Sequence, residues 1–185
     1  VLAGGASRRF GRNKALVDFR GQPLIQRVAD ALLALCPTVV ITNTPEVYAF
    51  LELPMYPDVY PRQGPAAGIH AALYHSGAQR VLAVACDMPF LSLPLLKHLV
   101  AQQGYYVVVP CGPEDLEPLC AVYRRECLPF LEAQLQLGGE RTIAFYTQVP
   151  VLQVPWEEVR RLGGERCFWN LNTYEEYQVA LGEKG

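Results

Sequence analysis

The sequence predicts an α/β fold in which a mainly parallel sheet is sandwiched between helices. Three observations carry this. Short apolar or β-branched runs alternate along the chain with segments of helical periodicity. The run at 80–85 (RVLAVA) is almost wholly apolar, as a strand covered on both sheet faces should be. The breaks between elements are short, as in chains built from βαβ units. The 185 residues are 51% hydrophobic and 18% charged, enough apolar side chain to form a core rather than a disordered chain. With no internal repeat and no linker-like stretch, 1–185 is read as a single domain.

The elements follow in order. Val1-Leu2 reads as the end of a first strand whose earlier residues lie outside the sequence, and it runs straight into Ala3-Gly4-Gly5. Residues 23–36 (PLIQRVADALLALC) place apolar side chains at helical spacing, with Pro23 near the first turn, where helices tolerate it. Residues 38–42 (TVVIT) are a β-branched strand. The Gly64-Pro65 break introduces a helix at 66–76, which leads to the strand at 80–85. A helix at 93–103 precedes a strand at 105–109 (YYVVV). A strand at 120–124 (CAVYR) is followed by a helix reaching Leu137, and 148–154 has strand character. The last helix starts at Thr173, with Glu176 three residues on as a capping box, and ends near Leu181-Gly182.

The charge balance is bland in total and uneven along the chain. Sixteen basic against 18 acidic side chains leave −2, which removes a whole-surface case for nucleic acid as a partner. No apolar run approaches the ~20 residues of a membrane-spanning helix, so no membrane association is expected, and no segment resembles a signal peptide. Residues 1–14, however, hold Arg8, Arg9, Arg12 and Lys14 and no acid. A basic opening can be a solvated tail; this one is interleaved with glycine. The six cysteines at 36, 86, 111, 120, 127 and 167 form no Cys-x-x-Cys pair. Several have apolar neighbours, so buried, reduced thiols are expected, Cys36 among them. His70, His75 and His98 lack zinc-ligand spacing, and no structural metal is expected.

In parallel sheets ligands bind outside the carboxyl ends of the strands, so residues just after strand signals are the candidates for chemistry. The first is Leu2 to Lys14 (LAGGASRRFGRNK). Its small residues let backbone amides approach an anion, and its four cations would neutralise a polyphosphate. It is neither a Walker A loop nor G-x-G-x-x-G, and a plain glycine-rich turn would look similar. The second is Asp87, where an apolar strand ends in Cys86-Asp87-Met88-Pro89. A carboxylate there can hold Mg²⁺ together with substrate phosphates, or can simply cap the turn. The third is Asp58, shortly before the glycines of the Gly64 helix, which permit close approach of a ligand or another backbone. The fourth is Asn170-Leu171-Asn172-Thr173, whose asparagines equally suit turn chemistry. Trp156 and Trp169 read as packing residues. The acids of Glu114-Asp115-Leu116-Glu117 read as a solvated loop, or as one facing a second substrate.

Taken together, these segments resemble the molybdenum cofactor guanylyltransferases of the MobA type. The opening loop is similar to the signature LAGGxSxRMGxxK of small nucleotidyltransferases. GQPLIQRVADAL, GPAAGIHAAL, CDMPFL, EPLCAVY and FWNLNTYEEY follow in the family's order over nearly the whole chain. The loop alone is shared with cytidylyltransferases and sugar-nucleotide enzymes; Gly4-Gly5 favours the guanylyl branch. Phe10 stands where the family has Met. Thr42 stands where it often has Asn, with Asn43 next to it.

The resemblance implies a three-layer α/β/α Rossmann-like nucleotidyltransferase fold and transfer of GMP from GTP to the terminal phosphate of molybdopterin, with Mg²⁺. It further implies a cytoplasmic setting and delivery of the product to cofactor-insertion proteins and molybdoenzymes. By matching position, Leu2, Ala3, Gly4 and Gly5 would contact the nucleotide, with Thr42 and Asp58 on the guanosine side. Lys14 and Arg9 would face the triphosphate, and Asp87 would ligate Mg²⁺. The N-terminal part would bind nucleotide, and the C-terminal part, with Asn170 and Asn172, would contribute the acceptor side. The competing readings are cytidylyl transfer from CTP to the same acceptor, sugar-phosphate nucleotidyl transfer, and a non-catalytic nucleotide-binding module.

Overall fold

In the computed structural model, which describes residues 1–4, 13–61, 63–138, 141–169 and 174–182, the sheet is assembled around the start of the chain. Leu2 bridges in parallel to Ile41 on one side and to Ala85 on the other. Its backbone N–H donates to Val84 (2.8 Å), and that of Ala3 donates to Ile41 (2.9 Å). Ile41 ends strand β3 (Val40–Ile41), and Ala85 directly follows β5 (Arg80–Val84). Outward from β3 lies β4 (Met55–Tyr56), paired in parallel. Beyond β5 come β7 (Cys120–Arg124), β6 (Val107–Pro110) and β8 (Val151–Val154), in that order. The small hairpin of β1 (Asp18–Phe19) and β2 (Gln22–Pro23) stands apart from this sheet.

Alternate side chains along the strands enter opposite helical layers, the signature of a sheet covered on both faces. Ala83, Val107, Val109, Ala121 and Tyr123 pack with Ile69 and Leu73 of α2 (Gly64–Ser76) and with Leu131 and Leu135 of α4 (Leu128–Gln136). Val84, Val108, Cys120 and Val122 face the other way. They meet α1 (Leu24–Leu33), α3 (Leu93–Ala101) and α5 (Trp156–Gly163) through Val28, Leu32, Leu96, Leu99 and Val159. The helix α6 (Tyr174–Gly182) packs Ala180 and Tyr177 on the β1–β2 hairpin. No helix among the described residues is long and apolar enough to cross a membrane.

The three-layer α/β/α arrangement and the mainly parallel sheet are as expected, with one refinement. β7 runs antiparallel to both of its neighbours, β5 and β6. No helix separates β6 from β7, so the chain turns back on itself, and antiparallel pairing is the geometry such a return allows. Among the described residues, the β1–β2 hairpin, the 3-10 helices Lys14–Leu16, Pro45–Leu51 and Ala144–Gln148, β4 and α5 carried no separate expectation. The hairpin depends on a two-residue turn in which Arg20 (φ 55°) and Gly21 (φ 89°) both take positive φ, a short local signal. Cys36 is exposed just past the end of α1, against the expectation of burial, whereas Cys120, Cys127 and Cys167 are buried. All six thiols are free. The predicted cap at Thr173 lies outside the described residues.

The core also contains a polar contact. The fully buried Tyr123 hydroxyl donates to the Pro118 carbonyl (2.7 Å) and lies 2.7 Å from the Tyr146 hydroxyl. Tyr123→Phe leaves both partners short of a hydrogen bond in a desolvated site. It should cost about 1–3 kcal/mol of unfolding free energy in urea denaturation.

Candidate active site

The carboxyl ends of the N-terminal segment, β3, β4 and β5 open into one cleft of about 290 Å³. Its walls include Gly4, Asn43, Asp58 and Asp87 from the four strand ends, with Gly64 and Gly68 from the start of α2. Gly64 has φ +67°, a conformation that favours glycine, and brings the helix N-terminus to the cleft edge. Gly68 faces the Leu2 side chain at ordinary contact distance, so its role is close packing of α2 on the first strand.

On one side of the cleft stands an ion pair. Asn13 caps the short 3-10 turn Lys14–Leu16 by accepting from the Ala15 N–H (3.1 Å), and its amide donates to the Tyr48 hydroxyl (2.9 Å). This fixes the buried Lys14 so that Nζ lies 2.7 Å from Asp87 Oδ2. The other oxygen, Oδ1, is buried with no hydrogen-bond partner among the described residues. Such an unmatched carboxylate oxygen is costly unless a ligand completes it. Next to it, burial and then the Asp87 charge push the Cys86 thiol up to about 12, so it stays protonated at neutral pH and offers no thiolate nucleophile. Among the described residues no three His, Cys, Asp or Glu side chains cluster to cage a metal.

On the other side Asn43 and Asp58 hold each other reciprocally. The Asn43 amide donates to Asp58 Oδ2 (2.8 Å), and the Asp58 backbone N–H donates to Asn43 Oδ1 (3.0 Å). A Cβ on Gly4 would sit 3.5 Å from Asp58 Oδ2, so the carboxylate lies close over the first loop. The loop leading to Asp58 is braced from behind. His75 Nε2 lies 3.0 Å from the Pro57 carbonyl oxygen, and its ring stacks on Tyr56 (4.9 Å, 9°).

Of the residues singled out from sequence, Leu2, Gly4, Asp58 and Asp87 line this cleft, and Lys14 joins it through Asp87. Ala3 is buried in the core, so only its backbone is available to a ligand. Thr42 points away: its side chain is buried and its hydroxyl accepts from the Thr44 N–H (3.2 Å) within the turn. Asn43, one residue on, faces the cleft instead, because side chains alternate as the chain leaves β3. Gly5, Arg9, Asn170 and Asn172 lie outside the described residues. Sequence reasoning passed over Glu117 as an individual residue, although the acidic run around it was visible. It sits two residues before Leu119, which lines the cleft, and faces a separate hollow.

Burial, reinforced by the Asp115 and Asp87 charges, pushes the Glu117 carboxyl from 4.5 up to about 7. Below 4.5 both folded and unfolded chains hold the proton and there is no penalty. As pH rises toward 7 the unfolded chain ionises first, so stability falls, and above 7 the whole penalty is present. Glu117→Gln removes the ionisation. In thermal denaturation of the metal-free protein it should gain on the order of 1 kcal/mol over the unsubstituted chain at pH 8 and nothing at pH 4.

The model of the MobA-like NTP transferase domain matches residues 1–151. A probable molybdenum cofactor guanylyltransferase of Clostridium perfringens (strain 13 / Type A) is 34% identical, the match covering 100% of this chain and 96% of the relative. The molybdenum cofactor guanylyltransferase of Desulfosudis oleivorans is 37% identical over 97% of this chain and 92% of its own. Among solved structures, molybdopterin-guanine dinucleotide biosynthesis protein A from Archaeoglobus fulgidus superposes with a TM-score of 0.86 at 28% identity, covering 97% and 94% of the two chains. The shared fold, the full-length matches and the cleft at the strand ends agree: this chain belongs to the MobA-like NTP transferase family.

Proposed function

We propose that the chain transfers GMP from GTP to the terminal phosphate of molybdopterin and releases pyrophosphate. The observation that carries this reading is the facing arrangement in one cleft of the Lys14–Asp87 pair and the Asn43–Asp58 pair. Relatives named as molybdenum cofactor guanylyltransferases support it. In the reaction an oxygen of the acceptor phosphate bonds to the α-phosphorus of GTP while the bond from that phosphorus to the bridging oxygen breaks. Both reactants are anions, so the site must hold them together against repulsion and stabilise the leaving pyrophosphate.

Each side of the cleft suits one half of this task. Asp58 retains lone pairs beyond the one engaged by Asn43, and these accept from the N1–H and amino group that guanine presents side by side. Cytosine has the amino group without the neighbouring N–H. The Lys14 ammonium, already placed at the strand end, turns from Asp87 toward the phosphates when nucleotide enters. Asp87 Oδ1, buried and unmatched, is a fitting ligand for Mg²⁺, which binds one or two carboxylates and completes its shell with phosphates and water. When bound there the ion supplies positive charge beside the parting phosphates. The acceptor phosphate is ionised at neutral pH, so no general base is assigned. Gly5 and Arg9 on the triphosphate, Asn170 and Asn172 on the acceptor, and a cytoplasmic setting with hand-over to molybdoenzymes complete the proposal.

Calorimetric titration with Mg²⁺ present should show GTP binding well above CTP; a clear CTP preference overturns the guanine assignment. Adduct formation from GTP and molybdopterin should be lost on Mg²⁺ removal by EDTA. It should fall by at least about 10³-fold in Asp87→Ala and about 10²-fold in Lys14→Ala. Normal turnover in Asp87→Ala overturns the metal assignment. Absence of adduct with any nucleotide overturns the reaction.

A further inference from the structure

The peptide unit that joins Pro57 to Asp58 is held at both its polar ends. Its N–H, that of Asp58, donates to Asn43 Oδ1 (3.0 Å). Its carbonyl oxygen, that of Pro57, lies 3.0 Å from His75 Nε2. A carbonyl oxygen only accepts, so Nε2 carries the hydrogen and donates it. We propose that His75 is a positioning residue for base recognition: by pinning this peptide it sets where the Asp58 carboxylate stands, and so how strongly guanine is preferred. The proposal rests on the reading in which Asp58 accepts from the guanine base.

The chain leaves one rotation to be controlled here. Pairing of β4 holds the loop as far as the Tyr56 carbonyl, which accepts from the Thr42 N–H (2.9 Å). The pyrrolidine ring of Pro57 fixes its φ near −65°, so its ψ is the rotation that turns the next peptide plane. That peptide is trans, and a planar trans peptide directs its C=O and N–H to opposite sides. Partners on both edges therefore stop the plane from turning, and the Asp58 Cα is placed with it. Asn43 alone does not achieve this, because it contacts only Asp58, through the backbone N–H and Oδ2. His75 ties the opposite edge to α2, whose first-turn residues Gly64 and Gly68 line the same cleft.

The donor is itself held in place. The His75 ring stacks on Tyr56 (4.9 Å, 9°), and Tyr74 meets it edge to face (5.2 Å, 89°). The other end of the loop docks on the same helix, where Tyr60 stands edge-on to the buried His70 (5.0 Å, 83°). Tyr56 and Tyr60 thus flank Asp58 along the chain, each packed on a histidine of α2. These ring contacts keep the loop against the helix but leave the Pro57–Asp58 plane free to turn. The His75 hydrogen bond is the contact that orients it from the helix side. A turned plane carries the Asp58 carboxylate off the line of the two donors on guanine, which weakens both bonds at once.

The test is calorimetric titration of the full chain, with Mg²⁺, by GTP and by ITP, which lacks only the 2-amino group of guanine. The unsubstituted protein should prefer GTP at least about tenfold. His75→Phe keeps a ring to stack on Tyr56 and removes the donor. GTP affinity should then fall about tenfold and ITP affinity by no more than about threefold, so the preference shrinks. His75→Gln returns an N–H at similar reach without the ring, and should restore GTP affinity to within about threefold of the unsubstituted protein. An unchanged preference in His75→Phe, equal losses for the two nucleotides, or no recovery in His75→Gln overturns the proposal. Asp58→Ala tests the underlying reading separately. A GTP preference that survives that change overturns the reading and the proposal with it; a preference lost there but kept in His75→Phe overturns the proposal alone.

Discussion

The site depends on the parallel seating of the first strand between β3 and β5. Leu2 bonds to Val84 and Cys86 on one side while Val1 and Ala3 bond to Ile41 on the other, so the ends of three strands are held in a common register. That register puts Gly4, Asn43 and Asp87 at the rim of one cleft although they are far apart in sequence. The seating is possible because both faces of the sheet are covered. Small residues of α2 lie on one side, Gly68 directly against Leu2, and α1 and α3 close the other. A strand slipped by one residue would exchange the side chains that enter the two helical layers, so the same packing that stabilises the sheet also fixes the site.

Electrostatics explains how that rim holds buried charge. Lys14 and Asp87 are both removed from water to a large degree, and each is tolerable because the other is 2.7 Å away. The pairing is incomplete, since Asp87 Oδ1 has no hydrogen-bond partner among the described residues. Asn43 and Asp58 are arranged differently, as a neutral amide and a carboxylate near the surface that orient one another. One side of the cleft thus holds a buried ion pair and the other a hydrogen-bonded amide–carboxylate pair.

The return of β7 antiparallel to β6 gives the molecule its second recess. Because no helix intervenes, residues 111–119 join the carboxyl end of β6 directly to the start of β7. Leu119 then faces the first cleft and Glu117 the second. The cost of this return is visible at Glu117, whose carboxyl is partly desolvated close to other acids.

Sequence by itself determined the layered α/β character, most of the long elements, and the choice of Asp58, Asp87 and Lys14 as candidates, which the fold brings together at one cleft. Periodicity and strand-end position are local properties, and the ordered motifs carried the family. The two-residue strands and the β1–β2 turn were not legible, because their stabilisation comes from pairing partners rather than from runs of residues. Nor was the exchange of Thr42 for Asn43 as the cleft-facing residue: adjacent side chains on an extended chain point to opposite sides, and only the register of β3 against its neighbours decides which is inward. The direction of β7 and the unmatched oxygen of Asp87 are likewise tertiary facts. Each depends on distances between segments that the chain brings together only when folded.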